Sequence, residues 1–207
     1  MRAARIVAAG LAVAAWAGLV LQYVLLVDLA GPALGSWRFV GYFTILSNIG
    51  IGLLATAIAV GHAGRLTGAK ARLMGLTAIV TVGFVYSLLL RSLWNPVGWA
   101  KVADMVLHDI TPVLTALLWA LTPHGELKWG DLKWALAPPA LYLAYSMARG
   151  ALDGWYPYYF LNPALQTTGE LALGMAGTLF VFATIAGSAI AIDMRLGRRA
   201  ADQPSTA

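Results

Sequence analysis

The sequence predicts an all-α, polytopic membrane protein: a bundle of six transmembrane helices with both termini in the cytoplasm. Of its 207 residues, 60% are hydrophobic and only 11% are charged, whereas soluble domains carry about 25% charged residues. The apolar residues form long uninterrupted stretches of roughly twenty residues, which is the length needed to cross a bilayer. Basic residues collect in alternate connecting segments, as expected for a chain that crosses the membrane repeatedly.

Six apolar stretches account for most of the chain. They are placed at 5–27, 39–60, 72–93, 104–121, 132–149 and 169–193. Arg2 and Arg5 ahead of the first stretch resemble a signal peptide, but the apolar run extends to Val27. A cleaved hydrophobic region is shorter, so we expect a retained helix. The six helices form one domain, 1–196, and 197–207 is expected to be a short disordered cytoplasmic tail.

The distribution of Lys and Arg predicts the orientation. Of the fourteen basic residues, ten fall in the segments on the N-terminal side of the membrane and four, Arg38, Arg91, Lys101 and Arg149, on the other side. Cytoplasmic loops carry the excess of basic residues. The prediction is a multi-pass protein of a cell membrane, the bacterial inner membrane, with both termini inside.

Composition also argues against several other classes. There is no cysteine, so disulfides and thiolate metal sites are not possible, and the net charge of +5 arises from loops and tails. A nucleic-acid partner is therefore not expected. His62 and His124 fall on the cytoplasmic side, away from His108, which argues against a histidine metal site. No cofactor is expected.

The segment Gly35–Asn48 places polar side chains inside an apolar helix. Thr44, Ser47 and Asn48 are spaced i, i+3 and i+4 and therefore share one helical face. Hydrocarbon offers these groups no hydrogen-bond partner, so they need partners within the protein. Threonine is ordinary in membrane helices, where its hydroxyl bonds the i−4 carbonyl, and this is the structural alternative to a functional role.

A second polar insertion surrounds His108. Asp104 precedes the histidine by four residues and can orient its imidazole, with Asp109 as the alternative carboxylate. Pro112 has no N–H for the His108 carbonyl, which predicts a kink beside the histidine. An ionisable residue inside a membrane indicates a functional site. The alternative is that the histidine only holds helices together.

The predicted topology brings the two insertions to similar depths. Thr44 lies roughly 8 Å and His108 roughly 6 Å below the outer ends of their helices, at 1.5 Å per residue. A threonine hydroxyl becomes a nucleophile when a base accepts its proton, and His108 is the one imidazole at that level. Asn48, Ser47 or Arg91 are candidate donors to an oxyanion. Further polar residues near the same end predict an outer-leaflet cavity: Tyr86, Ser87, Tyr142, Tyr145, Ser146, Gln166 and Glu170.

Three segments resemble the androgen-induced-gene and androgen-dependent TFPI-regulating proteins, a family of six-helix membrane threonine hydrolases. The first two are Gly35-Ser36-Trp37-Arg38-Phe39 with Phe43-Thr44-Ile45-Leu46, and Leu107-His108 with Thr111-Pro112-Val113-Leu114. The third is Gly154-Trp155-Tyr156-Pro157 with Tyr159-Phe160-Leu161-Asn162. The resemblance implies a nucleophilic Thr44, an essential His108 and hydrolysis of lipid-like esters, such as fatty acid esters of hydroxy fatty acids. The 155–160 loop would be an anchor or lid at headgroup level.

The chain also departs from the animal members of that family. Thr44 lies about one helical turn further from Trp37, and Ser47-Asn48 and Asn162 stand where those proteins have acids. The spacing from His108 to Pro112 is shorter. Two other functions remain open from the sequence: a small transporter, or a non-catalytic lipid-binding membrane protein that uses the same polar cavity. Under the hydrolase hypothesis, the expected partner is a lipid or fatty-acid ester within the membrane.

Overall fold

The computed structural model describes residues 2–201, and in this part of the chain the regular secondary structure is all helix, with no β-strand. Eight α-helices follow one another along the chain: α1 Arg2–Ala30, α2 Pro32–Phe39, α3 Phe43–Ala59, α4 Ala69–Val85, α5 Gly98–Met105, α6 Thr111–Ala120, α7 Leu132–Asp153 and α8 Thr168–Ala201.

Four helical segments are long and apolar enough to cross a membrane: Arg2–Ala30, Ala69–Leu93, Gly98–Ala120 and Thr168–Arg199. A fifth results if α2 and α3, which meet at a bend of 74°, count as one span. The 22-residue α7 has sufficient length but does not reach the same apolarity. The chain is thus an all-helical, multi-pass membrane protein with four or five such spans.

Two of these long segments contain a turn of π-helix. Tyr86–Leu90 continues α4, and Val106–Ile110 joins α5 to α6. The second π-turn precedes Pro112, which has no N–H to continue the regular hydrogen-bond ladder. Single π-turns inside α-helices frequently mark functional sites. The irregularity predicted beside His108 is therefore a π-turn that includes the histidine.

Helix α4 lies at the centre of the bundle and contacts α3, α6, α7 and α8. On one side, buried side chains of α1, α3, α4 and α6 form a core that includes Leu11, Ile51 and Ile79. On another, α4 packs against α7 and α8 through residues such as Leu73 and Ile190. Closely packed small and branched residues are typical of helix interfaces in membranes.

The C-terminal boundary differs from the expectation. Helix α8 continues to Ala201, so the first five residues of the segment expected to be a disordered tail are helical. Residues 202–207 lie outside the described residues. At the other end, α1 is a single helix that begins at Arg2.

A contact between two glycines joins α8 to the loop before α7. A Cβ atom built on Gly197 would lie 2.3 Å from the Cα of Gly125, and Gly125 itself has a φ of +96°. No side chain fits between these two backbones, and an L-residue at Gly125 would be strained as well. The contact therefore needs glycine at both positions.

We expect Gly197→Ala to lower the free energy of unfolding by about 2 kcal/mol, because the added methyl group must displace the Gly125 backbone. Thermal unfolding in detergent measures the change. Gly177→Ala is the matched control. Gly177 lies on the same helix as Gly197, and a Cβ atom built there meets no atom within 4 Å. Equal stability of the two variants would contradict the close contact.

Candidate functional site

Thr44, His108 and Asp104 lie in contact in the structure. The Thr44 hydroxyl is 3.3 Å from Nε2 of His108. On the other side of the ring, Nδ1 of His108 is 3.1 Å from a carboxylate oxygen of Asp104. Thr44 is buried, and the side chains of His108 and Asp104 are 16% and 15% exposed. The three groups form a continuous chain from hydroxyl to imidazole to carboxylate.

The partners of the imidazole determine its tautomer. Nδ1 faces two acceptors, the Asp104 carboxylate and, at 3.0 Å, the Asp104 carbonyl oxygen. A proton on Nδ1 satisfies both acceptors, and the neutral ring then has its lone pair on Nε2. Nε2 is the atom that faces the Thr44 hydroxyl. The histidine is therefore arranged to accept a proton from the threonine.

Tyr86 holds both members of the histidine–aspartate pair. Its hydroxyl donates to the second Asp104 oxygen at 2.7 Å, and its ring stacks on the His108 imidazole with centroids 3.9 Å apart and planes inclined by 17°. Tyr86 and His108 each belong to one of the two π-turns. The two local irregularities thus face each other across the α4–α6 interface, where Gly83 lets the helices approach closely.

The bend between α2 and α3 places Thr44 in the first turn of a helix. α3 begins at Phe43, directly after the three residues of the bend. The N-terminus of a helix carries a partial positive charge and unpaired N–H groups, which favour a negative charge nearby. A negatively charged oxygen that forms on or next to Thr44 would benefit from this position.

Side chains of α7 satisfy the carbonyl groups that the bend leaves unpaired. Such groups are costly in hydrocarbon unless a partner is provided. The pairs are the Tyr142 hydroxyl to Gly41 O at 2.8 Å, the Tyr145 hydroxyl to Val40 O at 3.1 Å, and the Arg149 guanidinium to Trp37 O. α7 therefore fixes the geometry of the break and, with it, the position of Thr44.

Asn48 links α3 to the helix that carries the histidine. Its amide nitrogen donates to the carbonyls of Thr44 at 2.8 Å and Leu107 at 3.3 Å, and its oxygen accepts from Thr111 at 2.8 Å. The side chain is fully buried. Both amide hydrogens are thereby engaged, so Asn48 holds the two helices in register and does not offer a donor to a ligand.

The remaining predicted residues lie around this centre with other partners. The Ser47 hydroxyl donates to the Thr44 carbonyl at 3.1 Å. Arg91 forms an ion pair with Asp109, and both side chains are substantially exposed. Of the two candidate carboxylates, Asp104 is the one that contacts His108. The predicted oxyanion donors Asn48 and Ser47 point instead to the helix backbone.

A cavity of about 60 Å³ opens beside Thr44. Its wall is largely apolar, with Phe182 and Leu143 toward the bundle interior, and Tyr158 contributes one of its few polar groups. The Tyr158 oxygen accepts the N–H of Phe43 at 3.1 Å, which leaves its own proton available. Burial raises the pKa of the Tyr158 phenol.

Tyr86 and Tyr158 contact the site, whereas the sequence placed Tyr86 only among the cavity residues and Tyr158 only within an anchor or lid loop. Tyr86 is visible in the sequence only as one of several polar residues near the outer end of its helix. Tyr158 lies in the aromatic loop after α7, 114 residues from Thr44, and no local spacing connects the two. Within residues 2–201, no three His, Asp or Glu side chains are grouped so that they could hold a metal ion.

No protein-family model, curated protein or solved structure matches this chain. The resemblance of three segments to the androgen-induced-gene family therefore stays a prediction. The geometry of the site is the basis for the function proposed below.

We expect Asn48→Leu to lower the free energy of unfolding by about 2 kcal/mol, because Thr111 and two carbonyls lose buried partners. Chemical unfolding in mixed detergent micelles measures this loss. Ser47→Ala is the control in the same helix, since it removes one bond to a neighbouring turn and should cost about 0.5 kcal/mol. A Ser47 variant as unstable as the Asn48 variant would contradict the role of Asn48.

Proposed function

We propose that this protein is an intramembrane hydrolase of lipid-like esters, with Thr44 as the nucleophile and His108 as the general base. The observation that carries the proposal is the hydroxyl–imidazole–carboxylate chain through Thr44, His108 and Asp104, with Nε2 free to accept the threonine proton. A nucleophile, a base within hydrogen-bond reach and a third group that orients the base are the signature of covalent acyl transfer.

In the first half of the reaction, the Thr44 oxygen attacks the ester carbonyl while His108 takes its proton on Nε2. The tetrahedral intermediate then collapses: the bond to the alcohol oxygen breaks, and His108 returns the proton to the leaving alkoxide. Asp104 stabilises the imidazolium between these steps. In the second half, His108 deprotonates a water molecule that attacks the acyl-threonine. The bond between the acyl carbon and the Thr44 oxygen then breaks, His108 returns the proton to that oxygen, and the carboxylic acid leaves.

The negative charge of the tetrahedral intermediate needs donors that are already in place. Tyr158 lines the cavity beside Thr44. Its oxygen is the acceptor in the bond from the Phe43 N–H, so that bond does not use the phenolic proton, which can be donated to the oxyanion. The N-terminus of α3 supplies a favourable potential at the same place. One oxyanion donor is typically worth a factor of about 10² to 10³ in kcat. Tyr158 thus takes the role that the sequence assigned to Asn48, Ser47 or Arg91.

The surroundings of the site suit a substrate that arrives from the lipid phase. A second, larger space of about 450 Å³ lies next to the first and shares Phe43 and Tyr142 with it. It is lined almost entirely by apolar side chains of α3, α4 and α7, including Leu54 and Met74. Its size falls within the range of small-molecule binding sites. Hydrocarbon chains on either side of a scissile ester would fit these two spaces.

We further propose six membrane crossings, with the α2–α3 pair and α7 as two of them, and both termini in the cytoplasm. The excess of basic residues on the side of the termini supports this orientation. The catalytic groups would then lie in the outer half of the membrane of a bacterial cell. The aromatic loop after α7 would lie at headgroup level, close to the cavity that contains Thr44.

Thr44→Ala and His108→Ala should each abolish turnover of a long-chain 4-nitrophenyl ester and labelling by a fluorophosphonate, because the nucleophile or its base is lost. Thr44→Ser should retain activity. The purified protein in detergent is assayed, with thermal unfolding as the folding control. Full activity in either alanine variant excludes the assigned pair.

Asp104→Asn should lower kcat by about 10² or more, since the neutral amide no longer stabilises the imidazolium. Asp109→Asn is the matched control one helical turn away, because this carboxylate pairs with Arg91 and does not contact His108. The two variants are compared in the same ester assay. A larger loss in Asp109→Asn would transfer the orienting role to that residue.

The orientation has a direct test because the chain lacks cysteine. A single Lys101→Cys substitution should react with a membrane-impermeant maleimide on intact cells, and Arg65→Cys should react only after permeabilisation. Both positions are exposed. The opposite labelling pattern would place the termini outside.

A further inference from the structure

The series of hydrogen-bonded groups that begins at Thr44 continues beyond Asp104 to a phenol. Asp104 uses its two carboxylate oxygens for different partners: Oδ1 lies 3.1 Å from Nδ1 of His108, and Oδ2 accepts the Tyr86 hydroxyl at 2.7 Å. The phenol therefore occupies the oxygen that the histidine does not use. Among the described residues, Asp104 is the only hydrogen-bond partner of the Tyr86 hydroxyl.

The bond from Tyr86 fixes the plane of the Asp104 carboxylate. Rotation of a carboxylate about its last side-chain bond is soft, so a single hydrogen bond does not hold it in one orientation. The Asp104 side chain is only 15% exposed, which leaves water little access to Oδ2 in place of the phenol. A buried carboxylate oxygen without a donor is costly. The phenol thus keeps Oδ1 directed at Nδ1 of His108.

The ring of Tyr86 acts on the imidazole itself. The two rings stack with their centroids 3.9 Å apart and their planes inclined by 17°. This contact limits rotation of the imidazole, so Nδ1 stays directed at Asp104 and Nε2 at Thr44. The face of an aromatic ring also attracts a cation within about 6 Å of its centroid. When His108 accepts the threonine proton, the new positive charge forms against the Tyr86 ring.

Tyr86 is placed to act through these two residues and not on a substrate. It lines the cavity beside Thr44, so direct contact with a substrate is the alternative role. However, its hydroxyl already donates to Asp104, and a phenol has one proton to donate. Tyr158 is the phenol whose proton remains available at the cavity.

Two departures from regular helix bring the phenol to this place. Tyr86 begins the π-turn Tyr86–Leu90, and His108 lies in the π-turn Val106–Ile110. A Cβ atom on Gly83, one turn before Tyr86, would lie 3.0 Å from the His108 carbonyl oxygen, so glycine permits the close approach of the helices. Single π-turns recur at functional sites. A tyrosine that only tied two helices together would need neither irregularity.

We propose that Tyr86 is a positioning residue of the hydrolase: its hydroxyl fixes Asp104, and its ring fixes His108 and stabilises the imidazolium. This inference rests on the proposed hydrolase function and adds a fourth member to the Thr44–His108–Asp104 series. The structural alternative is that Tyr86 only joins α4 to α5. Positioning changes the rate of the chemical steps, whereas helix packing alone changes stability.

The kinetic test compares Tyr86→Phe with the wild type on a long-chain 4-nitrophenyl ester. The variant keeps the ring and the cavity wall, so KM should be unchanged. Its kcat should fall about tenfold, because Asp104 loses a hydrogen bond to its charge. Tyr86→Leu also removes the ring and should lower kcat about threefold further. Tyr23→Phe is the matched control, since this hydroxyl bonds Ser36 at 3.0 Å away from the site.

A double-mutant cycle tests whether Tyr86 acts through Asp104. If it does, Tyr86→Phe should change kcat by less than about twofold once Asp104→Asn has removed the charge that the phenol orients. A full tenfold loss in that background would overturn the route through Asp104. A Tyr86→Phe variant that unfolds at a lower temperature but keeps the wild-type kcat, or one matched in kcat by Tyr23→Phe, would overturn the positioning role.

A spectroscopic test does not depend on turnover. The proton resonance of Nδ1–H of His108, assigned by its loss in His108→Gln, reports the bond to Asp104 in the full chain in detergent. We expect Tyr86→Phe to shift this resonance and Tyr23→Phe to leave it in place. An unchanged resonance in Tyr86→Phe would overturn the proposal. If the wild type hydrolyses no ester while the resonance still responds, the hydrolase fails and the positioning of the histidine–aspartate pair by Tyr86 stands.

Discussion

The bend of 74° between α2 and α3, at residues 40–42, is the constraint on which the rest of the structure depends. A broken helix exposes carbonyl and N–H groups that hydrocarbon cannot satisfy, so it persists only where the protein supplies partners. Here α7 supplies them, through two tyrosine hydroxyls and the Arg149 guanidinium on the carbonyls of the bend. In return, the break creates a helix N-terminus inside the bundle, and Thr44 lies in its first turn.

The other half of the site depends on similar local departures from regular helix. The π-turns at Tyr86–Leu90 and Val106–Ile110 bring a tyrosine and a histidine face to face, and Asp104 joins them through both carboxylate oxygens. Asn48 of α3 then ties its helix to this half by hydrogen bonds with Leu107 and Thr111. The centre is thus positioned by rigid helices and buried polar bonds, which is the arrangement that preorganised catalysis requires.

The polar groups around Thr44 border apolar space. The imidazole, the carboxylate and the phenols surround Thr44, and apolar cavities extend from it between the helices. The Arg149 guanidinium lies against the rings of Trp37 and Trp155 beside the bend.

The sequence by itself determined that the chain is a membrane protein and that Thr44 and His108 form a pair at its centre. Apolar length identified the helices, and the depth of Thr44 and His108 predicted their meeting, because helical rise converts residue counts into position. The spacing of Asp104 also indicated the correct carboxylate neighbour. Local patterns did not reveal the contact of Tyr158 with Phe43, the bond from Asn48 to the Leu107 carbonyl or the α7 contacts to the bend, since each joins residues more than fifty positions apart. Only the tertiary structure decided them, because which helix supplies a partner to a broken backbone depends on how the helices pack.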